Sequence, residues 1–215
     1  MSTRLTIVLS IILIAIAVVS SAMVYDRLPE RVASHWNAAN QVDGYISRFW
    51  GVSLMPLISA GMLALLLVIP HIDPLQANVE KFRPAFNGFI TLMIAFLLYV
   101  HGLTLAWNLG YDRFDMGAAL LPALGLLFIF VGFMMRQAKR NYFIGIRTPW
   151  TLSSDRVWDK THRVGGMLFI ASGLLALLGA FFPLYAPWLL LTPLLGSTFF
   201  LVVYSYLLYQ QEMQA

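Results

Sequence analysis

Residues 164–210 read VGGMLFIASGLLALLGAFFPLYAPWLLLTPLLGSTFFLVVYSYLLYQ. These 47 residues contain no charged side chain. About 20 apolar residues are enough for a helix to cross the hydrocarbon core of a bilayer, so the stretch is too long for one span. Pro183 and Pro187 lie near its middle, where a helix has to stop and turn. The stretch therefore predicts a hairpin of two membrane-spanning helices, the fifth and sixth spans of the chain.

Four more apolar runs precede this hairpin, at residues 5–25, 49–70, 87–107 and 117–135. The chain has 215 residues, of which 60% are hydrophobic and 11% are charged, and a water-soluble domain of this size cannot bury that much apolar surface. We therefore predict an all-α membrane protein with six transmembrane helices. The first run could also be a cleaved signal peptide, but its length favours an uncleaved helix.

Lys and Arg residues near the span ends predict the orientation of the chain. With the N-terminus inside, the inner loops hold ten of these residues and the outer loops hold four. Because cytoplasmic loops are enriched in Lys and Arg, both termini are predicted to be cytoplasmic. The loop at 26–48 then faces outward, and the loop at 136–163 faces the cytosol. We divide the chain into an N-terminal two-span region, residues 1–86, and a four-span region, residues 87–215.

Several kinds of site are excluded or disfavoured by composition. The chain has no cysteine, which excludes disulfides and thiolate metal sites. The four histidines have no metal-ligand spacing, and no nucleophile or phosphate-loop motif is present. The net charge of +4 is scattered over loops and does not form a basic face for nucleic acid. We therefore predict no metal, no cofactor, no enzymatic activity and no direct nucleic-acid binding.

Polar residues inside the spans are few. His101 lies within the third span, either as a neutral side chain bonded to a neighbouring helix or as a proton-sensing or ligand-contacting group. No acidic residue lies inside a span, which disfavours the alternative function, a small-molecule or ion transporter. Ser172, Ala176 and Ala180 recur every four residues on the fifth span. This spacing predicts a helix contact within the chain, with a homodimer face as the alternative.

The two long loops hold most of the remaining information. The outer loop reads LPERVASHWN at 28–37 and DGYISR at 43–48, and its turn formers and aromatic residues predict a compact structure at the membrane interface. The inner loop reads NYFIGIRTPWTLSS at 141–154 and DRVWDKTHRVGG at 155–166. Ser153 or Ser154 can cap a helix that begins near Asp155, which places Trp158 and Thr161 or His162 on one face. This segment is either an amphipathic anchor or a recognition surface.

These loops also carry a family resemblance. The inner stretch GIRTPWTLS at 145–153, followed by Val157-Trp158 and by Thr161-His162-Arg163, resembles the signature of the SdpI family of bacterial toxin-immunity membrane proteins. The outer segment at 28–45 resembles the domain of unknown function that usually precedes that signature. The number and order of the spans also agree with the family.

The resemblance implies a multi-pass protein of the bacterial cytoplasmic (inner) membrane that protects against a secreted, membrane-damaging peptide toxin. In the family's best-known member, the same protein also signals by holding a cytosolic repressor at the membrane. The implied partners are therefore a peptide toxin, a cytosolic transcriptional repressor and the lipid bilayer. No residue is implied to be catalytic. The implied toxin- or partner-binding residues of the outer loop are His35, Trp36, Asn37, Asp43, Gly44 and Tyr45. The implied signalling or structural residues of the inner loop are Arg147, Thr148, Pro149, Trp150, Trp158, His162 and Arg163.

The outer loop departs from the family pattern at two positions. Ala33 stands where relatives commonly have proline, which predicts a looser loop. Asn40 stands where they commonly have glycine, and the turn is expected to survive because asparagine tolerates a left-handed backbone. If the inner motif serves only the fold, Arg147 is expected to pair with Asp155 or Asp159, and Trp150 to lie in the headgroup layer.

Overall fold

The computed structural model describes residues 1–182 and 185–214. Within these ranges, six helices are long and apolar enough to cross a membrane, which confirms the predicted helical membrane fold. Pro187 lies in the first turn of the last helix, whereas Pro183, the other predicted turn residue, lies outside the described residues. The helices are α1 (Thr3–Val24), α2 (Arg48–Ile72), α3 (Gln76–Glu80), α4 (Arg83–Asn108), α5 (Met116–Met135), α6 (Pro149–Ser153), α7 (Asp155–Gly179) and α8 (Ala186–Met213), and only α3 and α6 are too short to span.

The outward faces of the long helices are apolar. Ile11 on α1, Leu57 on α2 and Leu174 on α7 are 55%, 57% and 52% exposed within the chain. Further large apolar side chains are exposed along each long helix, and an apolar surface this extensive is favourable in lipid and unfavourable in water. The chain is therefore a multi-pass membrane protein whose outer surface contacts lipid.

The spans pack in two groups. Helix α1 contacts α2 and α4, whereas α7 contacts both α5 and α8. Helix α4 also contacts α5 and so joins the two groups. The division into residues 1–86 and 87–215 stays a prediction, because α4 packs on both sides of it.

Two glycine pairs bring α5 and α7 together. A Cβ atom on Gly125 would lie 2.8 Å from the carbonyl oxygen of Gly173, and one on Gly132 would lie 2.5 Å from that of Gly166. Both distances are too short for any side chain, so the two backbones touch. The glycines are seven residues apart on each helix, which fixes an antiparallel register.

The predicted small-residue contact on the fifth span lies beside these glycines. Ser172 and Ala176 are buried within the chain itself, and Ala180 is half-buried. This burial agrees with the intramolecular interpretation. The glycines themselves were missed, although their seven-residue spacing on both helices is visible in the sequence.

The outer loop is a β-hairpin, which the sequence analysis did not predict. Strands β1 (Arg31–Trp36) and β2 (Val42–Ser47) pair antiparallel. Ala33 faces Tyr45 and His35 faces Gly44, so Ser34 is bulged out of the register. The bulge interrupts the alternation of inward and outward side chains by which strands are recognised in a sequence.

The even number of spans gives the molecule two distinct ends. The hairpin end contains the β-hairpin and the α4–α5 connection, and the motif end contains the N-terminus, the α2–α4 connection, residues 136–154 and the end of α8. Which end faces the cytosol stays a prediction.

Candidate functional site

The loop between the two strands is built around Asn37. Its Oδ1 accepts hydrogen bonds from the backbone N–H groups of Ala39 (2.9 Å) and Gln41 (3.0 Å). Asn40 follows with φ of +58°, a left-handed conformation. The expectation that asparagine preserves this turn is confirmed.

Asn40 also fastens the hairpin to the membrane helices. Its Oδ1 accepts from Met116 N–H (2.9 Å), and its Nδ2 donates to the carbonyl of Phe114 (3.2 Å). Both partners lie where α5 begins. A glycine at position 40 would allow the same backbone but would lack these two bonds.

The expectation that Ala33 loosens the loop is wrong. The N–H of Ala33 donates to Asn108 Oδ1 (2.7 Å), and Asn108 Nδ2 returns a bond to the Ala33 carbonyl (3.0 Å). A proline at position 33 has no N–H and could not make the first bond. Alanine therefore adds a connection to the end of α4.

Of the predicted outer-loop residues, three lie together on the hairpin. His35 and Asp43 are exposed, with Nδ1 2.5 Å from Oδ1. Gly44 faces His35, and a Cβ atom there would lie 2.8 Å from the His35 Cβ, so only glycine fits. The three residues form an exposed polar surface, and Tyr45 beside them is 51% exposed, with Arg31 5.9 Å from its ring centroid.

Trp36 points elsewhere. It is half-buried, and its ring packs edge-on against Trp107 with centroids 5.4 Å apart. Trp107 makes a similar contact with Phe114 (5.5 Å). This aromatic row ties the hairpin to the α4–α5 connection, so Trp36 serves the docking of the hairpin.

A groove of about 280 Å³ lies between the hairpin loop and the first turns of α5 and α8. Asn37, Asn40 and Asp115 give it a polar rim. The sequence analysis missed this groove, because it combines segments far apart in the chain. Its apolar lining comes from Leu120, Leu121, Leu124, Pro187, Leu190 and Leu191.

His101, the predicted intramembrane polar residue, is fully buried on α4. Its Nε2 lies 2.8 Å from the hydroxyl of Ser21, which donates to the carbonyl of Val52 (3.1 Å). The three residues come from α4, α1 and α2. The contact agrees with the interpretation of a histidine bonded to a neighbouring helix.

At the motif end, the loop after α5 is organised by Asn141, which is fully buried. Its Oδ1 accepts from the N–H groups of Phe143 (3.0 Å) and Ile144 (2.6 Å). Its Nδ2 donates to the carbonyls of Lys139 (2.8 Å) and Ile144 (2.9 Å). Sequence reasoning missed this residue, since a buried asparagine and a loop asparagine look alike in a sequence.

His162 binds this loop to α7. Its Nε2 accepts the N–H of Ile146 (2.9 Å), while Nδ1 donates to the carbonyl of Trp158 (2.9 Å), which requires the neutral ring. Gly145 stands at φ of +113°, and a Cβ atom there would overlap His162 Nε2. The glycine and the histidine of the motif are therefore complementary in shape.

Trp158 completes this contact. Its ring stacks on His162 with centroids 3.9 Å apart, and its Nε1 donates to the carbonyl of Ala138 (2.9 Å). Ser154 caps the helix through its bond from Val157 N–H (3.2 Å), as predicted. The helix is not a separate anchor, however, because it continues without a break into the fifth span as α7.

Thr148 and Thr151 form a reciprocal cap on α6. Thr148 Oγ1 accepts from Thr151 N–H (3.2 Å), and Thr151 Oγ1 accepts from Thr148 N–H (2.9 Å). Pro149 occupies the first helical turn, where its missing N–H has no cost. Thr148 also contacts the hydroxyl of Ser205 on α8 (3.2 Å), so the motif binds the last span.

The expected pairing of Arg147 is wrong. Asp155 pairs with Arg140 (2.8 Å), and Asp159 pairs with Lys139 (3.1 Å). Arg147 is exposed and donates to the carbonyl of Tyr142 (2.9 Å) instead. The two acids lie on α7 opposite the residues that follow α5, and the antiparallel register of these helices selects the partners.

The other two inner candidates differ in burial. Trp150 is half-buried against Tyr206 of α8, with ring centroids 5.1 Å apart. Arg163 is exposed. Of the seven candidates, Thr148, Trp158 and His162 are therefore buried in the fold, whereas Arg147, Pro149 and Arg163 face outward.

Asp73 links the motif to the N-terminal spans, and the sequence analysis did not identify it. The side chain is buried at the end of α2. One carboxylate oxygen accepts from Leu75 N–H (2.7 Å), and the other accepts from Tyr142 N–H (2.8 Å). The motif end is thus one connected structure made by both halves of the chain.

Comparisons with known proteins identify two matching segments of the chain. Residues 137–206 match the SdpI/YfhL protein family, and residues 12–60 match a domain of unknown function, DUF1648. The first match covers the motif loop, α7 and most of α8, and the second contains the hairpin. The chain is 27% identical to the immunity protein SdpI of Bacillus subtilis (strain 168) over 176 residues, 81% of each chain. No solved structure matches the chain.

The predicted resemblance is therefore confirmed on both loops. The DUF1648 segment supplies the hairpin and the spans on either side of it, and the SdpI/YfhL segment supplies the network around the motif. This chain is a multi-pass membrane protein that combines a DUF1648 domain of unknown function, at residues 12–60, with a segment of the SdpI/YfhL protein family, at residues 137–206.

Proposed function

We propose that this protein is an immunity protein of the bacterial cytoplasmic membrane and that it acts against a secreted, membrane-active peptide toxin. Its homology to an immunity protein supports the general activity. The observation that supports a binding mechanism is the groove at the hairpin end. It combines an apolar lining with three polar groups at its rim, which suits one amphipathic segment of a peptide.

The exposed pair of His35 and Asp43 extends this surface along the hairpin. We assign the first contact with a peptide to these side chains and to Tyr45, and its retention to the groove. The hairpin is bonded to the start of α5 through Asn40, so a peptide in the groove would press directly on that helix.

Sensing is the finer part of the proposal. Helix α5 touches α7 at two glycine pairs and leads directly into the motif loop. A shift of α5 would therefore reach the exposed residues Arg147, Pro149 and Arg163, which we assign to a cytosolic repressor. Such coupling requires two states of different toxin affinity.

The experiment is a membrane-potential measurement with a voltage-sensitive dye in toxin-sensitive bacteria that are challenged with an SdpC-type peptide toxin. Cells with the wild-type protein are expected to hold their potential. Ala118→Phe places a ring in the groove and is expected to abolish most of this protection. Ala171→Phe is the matched control, because Ala171 is an exposed residue of α7 outside the groove.

Equal loss in both variants at equal abundance would contradict a role for the groove, and no protection by the wild type would contradict immunity to this toxin. Arg147→Ala tests the motif in the same assay. If the abundance of the variant and its protection fall together, the role of Arg147 is purely structural. Loss of protection at normal abundance would contradict a purely structural role of the motif.

A further inference from the structure

The outward face of α7 is apolar over most of its length and basic near the start of the helix. Met167, Leu174 and Leu178 are 51%, 52% and 50% exposed and contact lipid. On the same face, one to three turns toward the start of the helix, the exposed residues are Arg163, Lys160 and Arg156. An apolar stripe thus runs directly into a basic stripe about 10 Å long at 1.5 Å per residue.

A fourth cation joins this stripe from the end of α5, where Arg136 is the first residue after the helix. The aliphatic stem of Arg136 lies on Gly166, where a Cβ atom would overlap its Cγ and would lie 3.1 Å from its Cδ. Gly166 is three residues beyond Arg163, so the stem of Arg136 crosses α7 within one turn of Arg163, at the edge of the apolar region. Phe133, one turn from Arg136 on the lipid side, is 51% exposed.

None of these four cations makes an ion pair within the described residues. The acids of this segment are engaged elsewhere, Asp155 by Arg140 and Asp159 by Lys139. Glu212 shares a small cleft with Arg156 and Lys160, but its two oxygens accept from Ser154 Oγ (2.7 and 3.0 Å). Four basic side chains therefore share this face, and in the described part of the chain no carboxylate pairs with any of them.

We propose that this face of α7 binds an anionic phospholipid. Arg136 and Arg163 hold the headgroup phosphate, Lys160 and Arg156 extend the positive field beyond it, and the acyl chains lie along the apolar stripe. Guanidinium groups suit this task because they bind phosphate with two parallel hydrogen bonds. The proposal is independent of the proposed immunity function.

A second copy of this chain does not suit the same face. In a symmetric dimer, the basic stripe would lie opposite an identical stripe, and like charges would repel. A soluble acidic partner would match the charges, but it would leave the continuing apolar stripe unused. A phospholipid matches both parts of the surface.

The test is thermal unfolding of the whole purified chain in an uncharged detergent, with added phosphatidylglycerol, phosphatidylcholine or inorganic phosphate. We expect phosphatidylglycerol to raise Tm at low salt, and the other two to leave it nearly unchanged. In the double variant R136Q/R163Q, the phosphatidylglycerol concentration that gives half of the Tm rise is expected to increase about 25-fold, since each of the two basic side chains near a lipid surface contributes roughly fivefold.

Two further variants distinguish a site from general charge. R4Q/K81Q removes two cations from the same end of the molecule. Its Tm is expected to rise with phosphatidylglycerol concentration as the wild-type Tm does. R136K/R163K retains the charge and is expected to keep at least half of the Tm rise, which would separate loss of charge from damage to the fold.

The proposal is overturned if R4Q/K81Q weakens the titration as much as R136Q/R163Q, because the effect would then be diffuse electrostatics. It is also overturned if inorganic phosphate alone raises Tm to the same extent, which would indicate a soluble anion. A change from monomer to dimer caused by R136Q/R163Q would assign the face to a second copy.

Discussion

The hairpin end and the motif end are both formed by loops that carry family sequence patterns, yet they are built in opposite ways. The hairpin is attached to the helices through the side-chain amides of Asn40 and Asn108, and it leaves His35 and Asp43 exposed. The motif loop is held inside by a buried asparagine and a buried histidine. One end presents side chains to its surroundings, while the other uses them to fix the fold.

This difference changes the meaning of the motif. A signature long enough to identify a family is easily interpreted as a recognition surface. Here Thr148, Trp158 and His162 make bonds within the chain, so much of the signature describes packing. Substitutions at the two ends should therefore separate stability from protection.

The largest effect is expected for Gly145→Ala. Position 145 has φ of +113°, and a Cβ atom would overlap His162 Nε2, so the loop has to move away from α7. We expect a loss of about 3 kcal/mol in the free energy of unfolding, measured by thermal unfolding in detergent. Gly102→Ala is the control, since no atom lies within 4 Å of its Cβ position. Equal Tm values for the two variants would contradict a rigid motif end.

Asn141→Ala is expected to be the next most damaging change. It leaves the N–H groups of Phe143 and Ile144 and two carbonyls without their partner in a buried place. The expected cost is about 2 kcal/mol, with a matching loss of abundance in the membrane. Gln137→Ala removes an exposed amide in the same segment and should cost little. A normal Tm for Asn141→Ala would mean that the loop is not stabilised from within.

Asn40→Gly tests the attachment of the hairpin. Glycine keeps the left-handed turn and removes the bonds to Phe114 and Met116. We expect a loss of about 1 kcal/mol, together with faster hydrogen exchange of the hairpin amides. Exchange at the motif end should remain unchanged. Equal acceleration at both ends would show that the two ends are not separate units of stability.

The smallest effect on stability is expected for the double change His35→Ala and Asp43→Ala. Their side chains are 70% and 46% exposed, and exposed pairs contribute less than about 0.5 kcal/mol. If the hairpin surface binds the toxin, this variant should lose protection while Tm stays constant. If the variant retains both its protection and its Tm, His35 and Asp43 do not belong to the proposed contact surface.

The spans could be predicted from the sequence because hydropathy is local. The predicted fourth span, residues 117–135, differs from α5 (Met116–Met135) by one residue at its start. The agreement is close because an apolar run of this length without charged side chains is favourable only in the hydrocarbon core of the bilayer. The hairpin could not be predicted in the same way. The bulge at Ser34 disturbs the period of two, and the hairpin is bonded to α4 through Asn108, which lies 75 residues from Ala33.

The candidate site was predictable only in part. His162 and Trp158 share a helix face, and this follows from their spacing alone. Which acid binds Arg140 or Lys139 depends on the register of α5 against α7, and that register is set by Gly125, Gly132 and their partners. The groove has no sequence pattern, because the hairpin, α5 and α8 meet only in the folded chain.

The bonds between the motif loop and α8 also bear on biosynthesis. Thr148 and Ser154 emerge from the ribosome 57 and 58 residues before their partners, Ser205 and Glu212. Until the last span has entered the membrane, these hydroxyls and the loop around them are incompletely bonded. A chain whose final helix has not inserted therefore lacks both contacts, and the motif loop reaches its full set of hydrogen bonds only when α8 is in place.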